Sequence, residues 1–214
     1  MVASSVAHSS ITGFWIIRHA IVEENARAML YGVMDVPVCE TSLVEQLPTF
    51  RGLAQRLPRN AAWRVTPLSR TRRTAEAIFA AGYDPAELAI EPDLIEQSLG
   101  EWQGLVHAAL PSRLQLAAHA FWPLGGEECP PGGESMAQVI ARAGPVLERL
   151  ATEHDGGDVV IISHGGAIRA MLAHAISASP DTVLHFAIQN LSLTRIERHP
   201  EGWRVVCVNE LAGV

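Results

Sequence analysis

The chain has 214 residues, a formal net charge of −7 and 48% hydrophobic residues, which together predict one globular domain with a sizeable core. Such an acidic chain lacks the basic face that general nucleic-acid binding requires, so we expect no nucleic-acid partner. No run of eighteen apolar residues occurs, and we expect no membrane span and no membrane partner. The three cysteines, Cys39, Cys129 and Cys207, form neither a CxxC pair nor a disulfide framework, which favours a cytoplasmic location.

The first third of the chain predicts a leader, one strand and helical material. Residues 1–12 are small and polar, so we expect a flexible leader before a single domain over residues 13–214. Residues 14–17 are a short aromatic and β-branched run, which is typical of a buried strand. Residues 41–57 resemble a helix, but Pro48 is expected to divide them because proline has no backbone N–H to donate.

The middle of the chain continues the alternation of strands and helices. It predicts a strand at 63–66, a helix at 71–81 and an edge strand at 88–90. Residues 103–121 are interpreted as mainly helical with an interruption at Pro111, and a loop rich in glycine and proline follows at 123–133.

The last third of the chain predicts a long helix, a second buried strand and a hairpin. Ser135 is expected to cap the long helix, which should bend near Pro145. Residues 158–162 form a buried run that leads into a helix at 167–172. Further strands are expected at 183–187, 191–198 and 203–208, the last two as a hairpin.

Three predicted strand-to-helix corners carry groups that can bind phosphate. Arg18 and His19 follow the first strand, Arg70 comes after the strand of the middle third, and His164 follows the buried run of the last third. In an open α/β sheet, polar residues at the carboxyl end of a strand point into the crevice where ligands bind. A guanidinium offers paired donors that stay charged at working pH, so we expect these four side chains to converge into a cationic site.

Five motifs occur in one order along the chain. They are Arg18-His19, Pro67-Leu68-Ser69-Arg70, Glu96 before Gly100-Glu101-Trp102-Gln103-Gly104, Pro131-Gly132-Gly133-Glu134-Ser135, and Ser163-His164-Gly165-Gly166. With these motifs the chain resembles the histidine phosphatase superfamily. The resemblance implies the phosphoglycerate-mutase-like fold, an α/β fold with three α/β/α layers and a mostly parallel central sheet. It also implies a metal-independent phosphomonoester hydrolase that acts on a small phosphate ester and needs no cofactor.

The resemblance implies a role for each residue of the site. His19 is the nucleophile that forms a phosphohistidine, a role that the residues alone could equally give to His164. Arg18 and Arg70 hold the nonbridging phosphate oxygens. His164 donates to a phosphate oxygen, assisted by the backbone N–H of Gly165 at a helix N-terminus.

Two further residues complete the expected site. Asn25 falls six residues after His19, at the family's phosphate-contacting asparagine. Glu96 falls at the family's acid position, although an ordinary glutamate is almost entirely ionised at pH 7. We therefore hypothesise that burial and the charge of the phosphate favour its protonated form, as a general acid requires. Because acidic residues and histidines show no ligand spacing, no metal is expected.

Three positions depart from the family pattern. Ala20 stands in place of a glycine, which is tolerable where φ is negative, Val22 replaces a threonine, and Met29 stands where many members have an arginine. The few cations favour a phosphatase over a phosphoglycerate-type mutase, which must hold a bisphosphate. An α-ribazole-5′-phosphate phosphatase, a noncatalytic phospho-ligand binder and a metallohydrolase at the same residues stay open, as does a homodimer.

Overall fold

Six strands form the central sheet of the protein. They are Thr12–Arg18 (β1), Ala62–Val65 (β2), Leu88–Ile90 (β3), Asp158–Ser163 (β4), Ser192–His199 (β5) and Gly202–Leu211 (β6). The computed structural model describes residues 10–212, and in it the strands lie in the order β3-β2-β4-β1-β5-β6. Three of the five strand pairs are parallel and two are antiparallel, so the expected mostly parallel sheet is confirmed.

Helices cover both faces of this sheet. They are Glu24–Arg27 (α1), Glu40–Glu45 (α2), Leu47–Arg56 (α3), Ser69–Ala80 (α4), Met136–Glu153 (α5), Gly165–Ile176 (α6) and Pro180–Val183 (α7). Successive side chains of a strand point to opposite faces. Phe14 and Ile16 accordingly pack in one core with α5 and α6, whereas Ile17 packs in a second core with α3 and α4. The result is the expected three-layer α/β/α fold.

The predicted helix break near Pro48 and the predicted helix cap at Ser135 both occur. Pro48 is the second residue of α3, where its missing N–H would have no partner inside the helix in any case. Ser135 caps α5, because its Oγ accepts the backbone N–H of Gln138 at 3.3 Å while Gln138 Oε1 accepts the N–H of Ser135 at 2.8 Å. α5 then continues through Pro145 to Glu153.

The prediction of a mainly helical segment at 103–121 is wrong. The chain forms only the short 3₁₀ helix His107–Ser112 there, among turns. The buried carboxylate of Glu128 accepts the backbone N–H groups of Gln115 and Leu116 at 3.2 and 2.6 Å. These donors are therefore satisfied without the carbonyl groups that a helix would supply.

The prediction of a strand at 183–187 is also wrong. The chain leaves α7 there and turns. The carbonyl groups of Phe186 and Ile188 accept hydrogen bonds from Arg169 and Arg18. Arginine side chains thus take acceptors that a neighbouring strand would otherwise use.

Two further expectations concern the N-terminal leader and a membrane span. Positions 1–9 of the expected leader lie outside the described residues, and β1 already begins at Thr12. In the part of the chain that the structure covers, no helix combines the length and the apolar character that crossing a bilayer demands.

Candidate active site

The expected site forms at one edge of the central sheet. β2, β4 and β1 are parallel neighbours, so their carboxyl ends lie together, and Thr66, His164 and His19 directly follow them. Arg18 is the last residue of β1, and Arg70 enters from the first turn of α4. The four side chains that the sequence analysis expected to converge therefore do meet.

His19 forms the floor of the site. It is 1% exposed, and its Nδ1 lies 2.7 Å from the carbonyl oxygen of Ala20. A carbonyl oxygen only accepts, so Nδ1 carries the ring proton and Nε2 holds the lone pair. Asn190 fixes the backbone of the same residue, because its Nδ2 donates to the carbonyl of His19 at 2.8 Å. The backbone thus leaves Nε2 as the ring nitrogen with the free lone pair.

His164 lies beside His19, with the two ring centroids 5.1 Å apart. Arg70 Nε donates to His164 Nδ1 at 3.3 Å, so the ring proton is on Nε2, which lies 2.9 Å from Thr66 Oγ1. Both ring nitrogens are therefore hydrogen-bonded within the protein. Donation from His164 to a phosphate oxygen stays a prediction, and it requires one of these two bonds to give way.

Burial lowers the pKa of both histidines well below the usual value. For His19, burial is the largest cause, and the positive charges of Arg70 and Arg18 lower the pKa further. For His164, burial is again the largest cause, followed by the neighbouring His19 and Arg70. Both imidazoles are neutral at pH 7, as nucleophilic attack by His19 requires.

The two arginines of the site differ in how many of their donors are already used. Arg70 is fully buried, which lowers its pKa, and it donates to the carbonyl groups of Met34 at 2.7 Å and Gly32 at 2.8 Å. Arg18 donates Nη1–H to the carbonyl of Ile188, while its Nε is buried without a hydrogen-bond partner in residues 10–212. Because an unpaired buried donor is costly, an anion that accepts from Arg18 is favoured here.

Glu96 lies at the N-terminus of α6. Its carboxylate accepts the backbone N–H groups of Gly166 at 3.0 Å, Ala167 at 3.3 Å and Gln97 at 2.9 Å. A Cβ on Gly166 would lie 2.4 Å from Glu96 Oε1, so this approach depends on the glycine. Gly165, the preceding residue, is in reach of Arg18, because a Cβ there would lie 3.6 Å from Arg18 Nε. The expected acid and the expected anion-binding N–H are thus adjacent.

Arg142 of α5 holds the segment that carries Glu96. Its Nη1 donates to the carbonyl groups of Asp93 at 2.7 Å and Ile95 at 2.9 Å, and its Nη2 donates to the carbonyl of Glu96 at 3.0 Å. An ion pair with Glu134 at 2.7 Å orients the guanidinium. Three hydrogen bonds to carbonyl groups therefore hold the backbone of the candidate acid, and two more to Glu134 hold the guanidinium in place.

Asn25 does not join the other residues. It is exposed on α1, and its Oδ1 accepts the N–H of the next residue, Ala26, at 2.7 Å. Its contact with a phosphate stays a prediction. The asparagine that contacts the site in this structure is instead Asn190, in the loop before β5.

Arg169 is a further residue that the sequence analysis missed, after Arg142 and Asn190. It is 4% exposed, its Nε donates to the carbonyl of Phe186 at 2.9 Å, and its Nη1 donates to that of Gly165 at 3.1 Å. Its guanidinium lies 4.2 Å from the centre of the Trp122 ring. Burial lowers the pKa of Arg169 to about 10. A single arginine inside the apolar helical run 167–172 is the sequence signal that could have identified it.

Ala20 is accommodated without backbone strain. The non-glycine residues with positive φ in the described chain are Asn60, Ser177, Leu191 and Asn209, so Ala20 meets the condition that the sequence analysis set for replacing a glycine. The residue is fully buried, and its N–H donates to Thr74 Oγ1 at 2.9 Å.

A cavity of about 280 Å³ opens beside this site, and Arg18 and Glu96 are among the residues that line it. Val22 and Met29, two of the positions that depart from the family pattern, line it as well. Within residues 10–212, no three histidine, cysteine or acidic side chains are grouped to hold a metal ion.

Comparison with known proteins places these features in one family. The family model "Histidine phosphatase superfamily (branch 1)" matches residues 14–211. A metal-independent phosphoserine phosphatase of Arabidopsis thaliana is 30% identical over 175 residues, which are 80% of this chain and 71% of that protein. A glucosyl-3-phosphoglycerate phosphatase of Mycolicibacterium vanbaalenii is 28% identical over 173 residues, 78% of this chain and 75% of that protein.

A solved structure gives the same result for the fold. That of a mycobacterial glucosyl-3-phosphoglycerate phosphatase superposes with a TM-score of 0.76 at 25% identity, over 94% of this chain and 99% of that chain. The expected fold class and the expected metal-independent phosphatase function both agree with these relatives. The chain belongs to the histidine phosphatase superfamily, branch 1.

Proposed function

We propose that this protein hydrolyses a small phosphate monoester in two steps, through a phosphohistidine on His19. In the first step Nε2 of His19 attacks phosphorus, the bond from phosphorus to the ester oxygen breaks, and Glu96 gives its proton to the departing alcohol. In the second step Glu96 takes a proton from water, the water oxygen attacks phosphorus, and the N–P bond breaks to release inorganic phosphate. Atoms and charges balance without a further reactant.

The observation that best supports this proposal is the protonation and the surroundings of the His19 ring. A nucleophile must be neutral, oriented and next to cations that stabilise the charge on the nonbridging oxygens. His19 has its proton on Nδ1 against a carbonyl, a lowered pKa, and Arg18 and Arg70 beside it. Losing one such cation should cost about 3 kcal/mol of transition-state stabilisation, a factor of about 10² in rate.

Trapping of the intermediate tests the proposal. Quenching the enzyme in alkali during turnover of p-nitrophenyl phosphate should preserve about one phosphoryl group per active chain, because phosphohistidine survives alkali. The His19→Gln variant should hold none and should turn over at a rate at least 10³-fold lower. Normal turnover by this variant would refute the role of His19, whereas phosphate binding without any turnover by the wild-type chain would favour the noncatalytic binder.

The role of Glu96 is tested with esters that differ in their leaving group. A good leaving group such as p-nitrophenolate needs little help from an acid, whereas an alkyl alcohol needs a proton. We expect the Glu96→Gln variant to lose about 10²-fold or more on an alkyl phosphate and much less on p-nitrophenyl phosphate. A loss below about tenfold on the alkyl ester would rule out Glu96 as the acid. Exhaustive chelation should leave both activities unchanged, and loss of activity would favour a metallohydrolase.

Hydrolysis rather than phosphoryl transfer between substrate positions is the reaction that we propose. Met29 in place of an arginine leaves one cation fewer for a bisphosphate, which a phosphoglycerate-type mutase must hold. The relatives that support the proposal are named for hydrolysis of phosphoserine and of glucosyl-3-phosphoglycerate. We expect equal molar amounts of inorganic phosphate and alcohol to be released. An isomerised phosphate ester as the product would favour the mutase.

A further inference from the structure

The candidate acid shows where the organic part of the substrate lies. Glu96 must reach the oxygen that leaves phosphorus, and it lines the cavity of about 280 Å³ together with Arg18. In an in-line displacement the departing oxygen points away from His19. The alcohol part of the ester therefore enters this cavity, and the cavity walls determine which alcohols fit.

The walls of this cavity are mainly apolar. Leu30, Leu99 and Leu124 are buried in one hydrophobic cluster, and each exposes part of itself to the cavity. Trp122 packs against the same cluster and supplies an aromatic wall. Burying apolar surface is favourable by about 25 cal/mol per Å², so an apolar alcohol gains affinity from these contacts.

Three polar side chains along the cavity are already hydrogen-bonded within the protein, whereas Arg27 adds a cation to the lining. Gln97 Nε2 donates to the carbonyl of Glu134 at 2.7 Å, and Asn190 Nδ2 donates to the carbonyl of His19 at 2.8 Å. His107 Nε2 lies 3.1 Å from the carbonyl of Arg27, and both of these residues are exposed at the cavity edge. Apart from the hydroxyl of Tyr31, an alcohol rich in hydroxyl groups would find few further partners in the lining, which disfavours its burial.

Two departures from the family pattern lie in this same wall. Val22 replaces a hydroxyl with a methyl group and is 2% exposed, and Met29 puts a flexible apolar side chain where many members have a cation. Both side chains present hydrocarbon or thioether surface, with no charge and no strong hydrogen-bonding group. Both substitutions therefore favour the binding of an apolar leaving group.

From these observations we infer that the substrate is the phosphate monoester of an apolar alcohol or phenol, with its hydrocarbon part in the cavity between Glu96 and Trp122. The inference rests on the proposed function, because it uses the attack by His19 and the acid role of Glu96 to place the alcohol. It differs from the polar, carboxylate-bearing esters named for the relatives.

A series of alkyl phosphates tests the inference on the wild-type protein. Ethyl, butyl and hexyl phosphate share one leaving-group chemistry, so kcat/KM should rise about fourfold per methylene until the cavity is filled. Hexyl phosphate should exceed phosphoserine, 3-phosphoglycerate and glycerol 3-phosphate by at least tenfold. A flat alkyl series, or a preference for the three polar esters, would overturn the inference.

Restoring a cation supplies an independent test. Met29→Arg should lower kcat/KM for hexyl phosphate at least tenfold and raise it for 3-phosphoglycerate at least tenfold. Ile90→Arg is the matched control, since it adds the same charge at an exposed position of β3, which does not line the cavity. Equal specificity in the two variants would overturn the inference.

Two readouts separate this inference from the proposed function. Competitive inhibition by inorganic phosphate should stay within threefold in Met29→Arg, because the phosphate site itself is unchanged. Turnover of p-nitrophenyl phosphate that depends on His19, together with a preference for polar esters, would overturn the apolar pocket alone. Absence of turnover with every ester would overturn the proposed function and the inference with it.

Discussion

Arg142 offers a test of how strictly the proposed acid, Glu96, must be held, because Arg142 contacts the backbone around Glu96. Its guanidinium donates to three carbonyl groups of residues 93–96 and pairs with Glu134. Arg142→Lys keeps the positive charge but replaces a planar fork by a single nitrogen. The change therefore loosens the segment while leaving the carboxyl group of Glu96 in the protein.

The structure sets the size of the expected effects. Arg142 makes five hydrogen bonds and its side chain is 17% exposed, whereas lysine can keep about two of them. Hydrogen bonds to charged groups are worth about 1.5–3 kcal/mol each and water offsets part of the loss, so we expect the free energy of unfolding to fall by about 3 kcal/mol. A displacement of about 1 Å in a catalytic group costs about 10²-fold in rate.

The assay compares two leaving groups in the same variant. For Arg142→Lys, kcat/KM should fall about 10²-fold on butyl phosphate and less than about threefold on p-nitrophenyl phosphate, since only the former needs the acid. Arg149→Lys is the matched control, because Arg149 also lies on α5 and pairs with acidic residues, Glu91 and Glu153. Equal losses on both esters, or the same leaving-group dependence in the control, would refute the reasoning.

Three further changes probe the neutral histidines and the substituted glycine. Folding lowers the pKa of His19 and of His164, so the unfolded chain binds more protons than the folded chain below about pH 6.5. The contribution of the two neutral histidines to the free energy of unfolding is therefore fully present above about pH 6.5 and is lost as the pH drops toward the folded pKa. In urea unfolding we expect a slope of up to about 1.4 kcal/mol per pH unit for each histidine. Thr66→Val removes the acceptor of His164 Nε2–H, so we expect a loss of about 1–3 kcal/mol in urea unfolding and about tenfold in kcat/KM. Ala20→Gly should lower the free energy of unfolding by about 1 kcal/mol, because glycine gives the unfolded chain more conformational freedom. Its kcat/KM should stay within threefold of the wild-type value, because Ala20 contributes only its backbone groups to the hydrogen bonds of the site.

Each of these expectations has a result that contradicts it. A free energy of unfolding that stays constant between pH 7.5 and 5.5, or a slope that His164→Gln does not reduce, would show that the two imidazoles are not held neutral by the fold. Full activity in Thr66→Val would mean that the hydroxyl does not orient His164. A rise of tenfold or more in kcat/KM for Ala20→Gly would show that the Cβ of Ala20 obstructs the substrate.

The convergence of the site could be predicted because it follows from sheet geometry. Apolar runs that end at His19 and His164 predict strands, and parallel strands bring their carboxyl ends to one edge. Arg70 is predictable for a similar reason, since it opens the helix that follows β2. Such features depend on local patterns and on a general property of α/β sheets, both of which are present in the sequence.

Residues that reach the site across the fold could not be predicted in this way. Arg142 and Asn190 approach from α5 and from the loop before β5, and only the tertiary structure shows what they contact. Residues 183–187 are mostly apolar and predict a strand, but Arg169 binds the carbonyl of Phe186 within them and Arg18 binds that of Ile188 just after them. Periodicity measures which side chains are buried, and it does not show where backbone hydrogen bonds go.

The position of Glu96 connects the phosphate site to the supply of the proton. Its carboxylate accepts the N–H groups of Gly166 and Ala167 at the start of α6, and Gly165 next to them lies against Arg18. On the proposed mechanism, a phosphate ester that reaches His19 brings further negative charge to the helix end that Glu96 already occupies. On the same mechanism, this carboxyl group passes a proton to the departing oxygen. The contact that completes α6 in the free enzyme thus places the proposed acid beside the phosphate site.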